Sequence, residues 1–254
     1  PLLAALIDRR AGVTPDENVY SRKDRARREV AAAFLLDMSA STDDLIPDPN
    51  APEPKPLPDD PEDPYYYTYN APSEPNPDTR RVIDVEKDSL ALMSEALTVL
   101  GDAFAIYGFS GYGRDQVEFY VAKEFEEGVT RKTKAALAAM EPRRSTRMGP
   151  AIRHTVRRLE QQDVPLRVLI ILSDGFPQDC DYGPDANDHE YGIQDTARAL
   201  REARERGVAT FCITVDQSGH DYLRRMCPEN QYLVIDEIES LPDQLSKIYR
   251  ALTA

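Results

Sequence analysis

The sequence predicts a doubly wound α/β fold: a mostly parallel six-stranded sheet with helices on both faces and one antiparallel edge strand. Three observations carry this. Six apolar runs of strand length recur along the chain, segments of helical spacing separate them, and the inner runs are continuously apolar, as strands covered on both faces require. At 254 residues, the chain can form one large domain or two small ones and bury a sizeable core.

The elements follow in order. Residues 1–28 are expected to be a helical lead-in, with Leu2, Leu3, Leu6 and Ile7 on one face and the charged stretch Ser21 to Glu29 after it; the main domain spans 29–254. Its first strand is Val30 to Leu36. From Asp43 to Arg81 the composition changes: eleven of the twenty prolines and ten acidic residues surround the cluster Tyr65-Tyr66-Tyr67-Thr68-Tyr69. That proline density forbids helix and central strand, so 43–81 is expected to be an extended surface insertion. The tyrosines either bind a partner or anchor the insertion through buried rings.

Leu90, Met93, Leu97 and Leu100 then define a helix face that stops at Gly101, a natural position for the left-handed residue after a helix. Ala103 to Tyr107 is the second strand, and the alternating run Val117 to Val121 suits the edge. Ile152, Val156 and Leu159 mark a helix opened by Pro150. Val168 to Leu172 is the fourth strand. A helix from about Gly192 to Arg206 ends at Gly207, strands follow at Val208 to Val215 and Tyr232 to Ile235, and Leu241, Leu245, Ile248 and Leu252 close the domain.

Composition narrows the function. A net charge of −14 disfavours nucleic acid and anionic membrane surfaces, both of which need clustered Lys/Arg, and favours cationic ligands or partners. No apolar run reaches the roughly 18 residues of a membrane span, and no signal-peptide core follows Pro1. The start without methionine suggests a fragment of a longer protein. Three cysteines, Cys180, Cys212 and Cys227, lack C-x-x-C spacing, so inert thiols in a reducing cytoplasm are expected.

In open α/β sheets, ligands bind past the carboxyl ends of the strands where strand order reverses. The first strand leaves in Asp37-Met38-Ser39-Ala40-Ser41, the fourth in Ser173-Asp174-Gly175, and Ser145-Thr146-Arg147-Met148-Gly149 precedes the Pro150 helix. Two carboxylates and three hydroxyls are hard oxygen donors that suit Mg2+ or Mn2+. Such a centre attracts an acidic ligand from outside, with Arg143, Arg144 and Arg147 placed to assist.

The set Asp37-x-Ser39-x-Ser41, Thr146 and Asp174 resembles the metal-ion-dependent adhesion site of von Willebrand factor A (VWA) domains, and the strand–helix order resembles that fold from about Glu29 to Leu252. Arg144 to His154, Leu172 to Tyr182, Tyr191 to Thr196, and the end from Thr214 through Gly219-His220-Asp221-Tyr222-Leu223 to Pro242 are similar to the C-terminal domain of the CbbO/NorD group. This resemblance implies a cytoplasmic, non-catalytic adaptor for a hexameric MoxR-type AAA+ ATPase (CbbQ-like), with the metal taking an acidic residue of the target. CbbO-type adaptors serve Rubisco activation and NorD-type adaptors nitric oxide reductase maturation. The stretch Gly219 to Cys227 inclines the expectation to CbbO, hence to Rubisco and carbon fixation.

Enzyme readings fit less well. A haloacid-dehalogenase phosphotransferase needs a second Asp where Ser39 stands. Gly108-Phe109-Ser110-Gly111 lacks the G-x-S-x-G of a nucleophile elbow and the helix after it, and the same glycines fail as a dinucleotide fingerprint. No Walker motif is present, so ATP hydrolysis falls to another chain. His154, His189 and His220 are too scattered for a metal triad. The loop Asp179 to Glu190, with Asp179, Asp181, Asp185, Asp188 and His189, reads either as a second cation site or, preferably, as a solvated acidic loop.

Overall fold

The computed structural model describes residues 29–46, 79–183, 189–216 and 218–253. The lead-in 1–28, the Tyr65–Tyr69 cluster with most of the 43–81 insertion, and Asp185 and Asp188 lie outside the described residues.

Six strands form one sheet in the order β3-β2-β1-β4-β5-β6: β1 Val30–Asp37, β2 Ala103–Gly111, β3 Val117–Lys123, β4 Leu166–Ser173, β5 Val208–Thr214 and β6 Tyr232–Val234. All neighbours are parallel except β2 and β3, which pair antiparallel at the edge. The helices are α1 Val82–Leu100, α2 Arg131–Ala138, α3 Met148–Glu160, α4 Glu190–Glu205, α5 Gly219–Met226 and α6 Leu241–Leu252.

The period of two in β1 divides the core between the sheet faces. Ala31, Ala33 and Leu35 pack with Ile152, Val156 and Leu159 of α3 and Leu200 of α4. Ala32, Phe34 and Leu36 pack with Leu90, Met93 and Leu97 of α1 and Leu245 and Ile248 of α6. Both sides of β1 are therefore apolar, which is why its sequence does not alternate. The chain goes to one side of β1 for β2 and to the other for β4, so the strand order reverses at β1/β4.

Local chemistry explains the departures from the expected boundaries. Leu100 is 46% exposed, because it is the last helical residue and Gly101, at φ +80°, already turns the chain toward β2. Pro150 is the third residue of α3 rather than its opener; the first turn tolerates it because those N–H groups have no intrahelical partner. α2 was not expected. Thr130 caps it, accepting from Thr133 N, while Thr133 Oγ1 accepts from Thr130 N. The ends of the insertion are structured: Asp43 closes a 3-10 turn over Ala40–Asp43, Leu45 bridges antiparallel to Arg81, and Ile46 N donates to Arg80 O at 2.8 Å. Among the described residues, no helix is long and apolar enough to cross a membrane.

Candidate metal centre

The β1–β4 register sets Leu36 beside Leu172, so the residues that follow, Asp37 and Ser173-Asp174, leave the sheet side by side. Asp37 is fully buried. Its Oδ1 accepts from Ser39 N at 2.9 Å, a local turn that directs the chain across the sheet edge. Its Oδ2 accepts from Ser173 Oγ at 2.7 Å. Ser39 Oγ and Ser41 Oγ lie 3.0 Å apart, and Ser41 Oγ donates to Asp174 Oδ1 at 2.9 Å. Four of the five expected ligands are thus joined in one hydrogen-bonded cluster.

Thr146 reaches the same edge from the start of α3. The loop before it is laced to the β1 exit by Ala40 N to Arg144 O at 2.8 Å and Arg143 N to Met38 O at 2.7 Å, and to β2 by paired bonds between Gly111 and Ser145. Ser110 is fully buried in β2 and supports this loop: its Oγ accepts from Arg144 N and lies within bonding distance of Ser145 O. Ser39, Ser41, Thr146 and Asp174 line one open depression of about 620 Å³, with Arg144, Phe176, Gln178 and Asp216 around it.

Electrostatics mark this edge. Burial, then the charge of Asp174, pushes Asp37 up to about 7 against the pull of its hydrogen bonds from Ser173 and Ser39. Burial likewise raises Asp174, opposed by the Ser41 hydrogen bond. Glu86 on α1 is 3% exposed, and its Oε2 is buried with no hydrogen-bond partner among the described residues. Burial and the charges of Asp174 and Asp37 hold it well above the ordinary carboxylate range. Clustered acidic groups with an orphaned buried oxygen, fronted by hydroxyls, fit a hard divalent cation.

The arginines divide. Arg147 is 7% exposed; its Nε donates to Asp179 at 2.7 Å, it pairs with Asp181, and it lies over the Tyr182 ring. It is therefore committed inside the domain and is not placed to attract an outside carboxylate. Asp179 is buried and also accepts from Gly113 N and Cys180 N, while Cys180 and Asp181 remain exposed; the three offer ligand atoms close together, and Arg147 pairs with both carboxylates. Tyr182 OH donates to Asp195 at 2.7 Å and accepts from Gly149 N. The loop after β4 is thereby tied to both α3 and α4. Arg144 and Arg143 remain exposed, their guanidinium groups over the rings of Tyr112 and Tyr120. The histidines are scattered: His154 meets Phe119 edge-on, His189 lies tilted against Phe176, and His220 meets Tyr232 edge-on.

Sequence reasoning missed Glu86. The signal existed, since Glu86 precedes Leu90, Met93 and Leu97 at helical spacing, which puts a carboxylate on the apolar face of α1.

A family model of the von Willebrand factor type A domain matches residues 85–249. The chain belongs to this family. The VWA match begins after the insertion, so Asp37, Ser39 and Ser41 lie outside it and are placed by the fold. The chain is 35% identical to uncharacterized protein PA0525 of Pseudomonas aeruginosa over 97% of this chain and 35% of that protein. It is 32% identical to Protein NorD of Stutzerimonas stutzeri over 91% of this chain and 32% of that one. It thus spans about a third of the length of these relatives. The PilB minor pilin of Streptococcus sanguinis shares the fold at a TM-score of 0.60 and 14% identity, over 91% of this chain and 63% of that chain.

Proposed function

We propose that this VWA domain is a non-catalytic module that binds a partner protein through a divalent cation, Mg2+ or Mn2+, held by Asp37, Ser39, Ser41, Thr146 and Asp174. The observation that carries this is the hydrogen-bonded cluster of Asp37, Ser39, Ser41 and Asp174 at the β1/β4 switch point, beside Thr146. When bound, the cation offers a coordination position to a carboxylate from outside.

The residues have distinct tasks. Ser173 and Ser39 N hold the Asp37 carboxylate in one orientation, and Asp37 in turn fixes the Ser39–Ser41 turn. The lacing of 143–146 to β1 and β2 presents Thr146 at the same depression.

The named relatives support a NorD-like adaptor. On this reading the module hands nitric oxide reductase to a MoxR-type AAA+ hexamer during maturation, and the acidic ligand belongs to that target. The CbbO reading, with Rubisco as target, rests on the resemblance of Gly219 to Cys227 alone. The test is capture of purified nitric oxide reductase and of Rubisco on immobilised domain in Mg2+ or in EDTA. Retention of the reductase in Mg2+, lost in EDTA and with Asp37→Ala, is the expected result. Retention that survives both removes the metal from the reading; selective retention of Rubisco moves the protein to the other branch.

A further inference from the structure

Glu86 has no role in the site as described, yet it is the most anomalous ionisable group beside it. A carboxylate at 3% exposure whose Oε2 has no hydrogen-bond partner among the described residues is strongly unfavourable unless something compensates it. The cations near it on α1 are engaged elsewhere: Arg81 pairs with Asp43, Asp84 and Glu141, and Lys87 with Asp84 and Glu141. The charges that act on Glu86 are those of Asp174 and Asp37. The helix that carries it packs on the Ala40–Asp43 turn, the continuation of the Asp37-x-Ser39-x-Ser41 segment. Glu86 on α1 therefore lies within electrostatic reach of the buried Asp37 at the β1 exit and of the partly exposed Asp174 at the β4 exit.

We propose that Glu86 is a third acidic arm of the metal centre, acting by its charge from the α1 side to set how tightly the centre holds a divalent cation. This rests on the proposed metal-binding reading. Its logic is a balance between states: a carboxylate that weakens the metal-free fold is retained because it strengthens the metal-bound one. A merely structural Glu86 would act in the opposite way, since its removal would weaken the fold and leave the ion untouched.

The test uses Mn2+ alone as probe, with calorimetric titration of wild type, Glu86→Gln and Glu86→Asp, and melting curves of each in EDTA. Glu86→Gln keeps shape and removes charge. The expected result is a loss of Mn2+ affinity of about tenfold or more, the range for partners behind the direct ligands, with an EDTA melting temperature equal to or above that of wild type. Glu86→Asp, which keeps the charge, should stay closer to wild type than Glu86→Gln. Unchanged affinity in Glu86→Gln overturns the inference while leaving the metal site standing. A lowered EDTA melting temperature, or failure of Glu86→Gln to fold, also overturns it, because the carboxylate would then be a structural partner. Absence of Mn2+ binding in wild type instead sinks the underlying reading.

Discussion

Ser173 Oγ donates to Asp37 Oδ2 at 2.7 Å, joining the ends of β4 and β1 at the place where the strand order reverses. This bond orients a fully buried carboxylate whose other oxygen accepts from Ser39 N. Ser173→Ala should therefore weaken Mg2+ binding by about tenfold, as loss of a group orienting a ligand does. It should also lower stability by about 1–3 kcal/mol, the consequence of leaving a buried acceptor short of a donor. Calorimetric titration and denaturant unfolding measure the two effects separately.

How far the sequence reveals this arrangement depends on the kind of interaction. The six strands and the D-x-S-x-S, Thr146 and Asp174 set are legible because continuous apolar runs and residues leaving strand ends are local patterns. Partnerships across the chain are not. Arg147 stands beside Thr146 in sequence and reads as a free cation, yet Asp179 and Asp181 hold it, a pairing fixed only when the loop after β4 folds over the start of α3. α5 is hidden for a related reason: Tyr222, Leu223 and Met226 are buried, but in eight residues their spacing is too brief to separate from a loop. Glu86 lies between these cases, visible as a charge on an apolar face but interpretable only with Asp37 and Asp174 beside it.

Metal and pH should act on stability together. Asp37 lies at about 7 in the fold against an ordinary 3.8, so between these values the folded state retains a proton that the unfolded chain has lost. Its contribution to stability is fully present below about pH 4 and is lost as pH rises through 7, amounting to about 4 kcal/mol at about 1.4 kcal/mol per pKa unit. In EDTA the domain should melt at lower temperature at pH 7.5 than at pH 5. Mg2+ at a hundredfold excess over its dissociation constant should add about 2.7 kcal/mol and should do so more effectively at the higher pH, where Asp37 is ionised. Asp37→Asn should flatten the Asp37-dependent part of the pH response and remove the Mg2+ effect. Melting curves over pH 4–8 with and without Mg2+ check this, and an unaltered Mg2+ effect in the variant would place the cation elsewhere.

The Arg147 cluster should behave as a structural strap with consequences for the site. Arg147→Gln leaves Asp179, which is 3% exposed, without its ionic partner, and breaking such a buried pair costs about 3–5 kcal/mol. Arg147→Lys should rescue only in part, because a single ammonium nitrogen cannot occupy both places from which the guanidinium Nε and Nη2 reach Asp179 and Asp181. Thr146 adjoins Arg147 and its N–H donates to Gln178 O at 2.8 Å, so loosening the strap should also lower Mg2+ affinity. Denaturant unfolding of both variants, followed by Mg2+ titration of whichever remains folded, tests both expectations.

Arg144 is the cation best placed to steer an acidic partner. It lines the depression with Ser39, Ser41, Thr146 and Asp174, whereas Arg147 is spent on Asp179 and Asp181. Its backbone is pinned on both sides, donating to Ser110 Oγ at 3.1 Å and accepting from Ala40 N at 2.8 Å, and its guanidinium lies over the Tyr112 ring, 4.8 Å from the centroid. A chain of net charge −14 repels acidic surfaces at long range, so a fixed positive group at the rim should act chiefly on the association rate. Arg144→Glu should slow association of the captured partner by about tenfold or more in low salt, with a much smaller effect at 0.5 M salt, where charges separated by more than a few ångströms are screened. Its Mg2+ affinity should stay within about threefold of wild type, because direct coordination dominates the binding of an ion that a rim charge only senses through solvent. Stopped-flow association at two salt concentrations, with Mg2+ titration as control, separates steering from damage to the metal site. A rate equal to wild type in low salt would show that the partner approaches from another side of the depression.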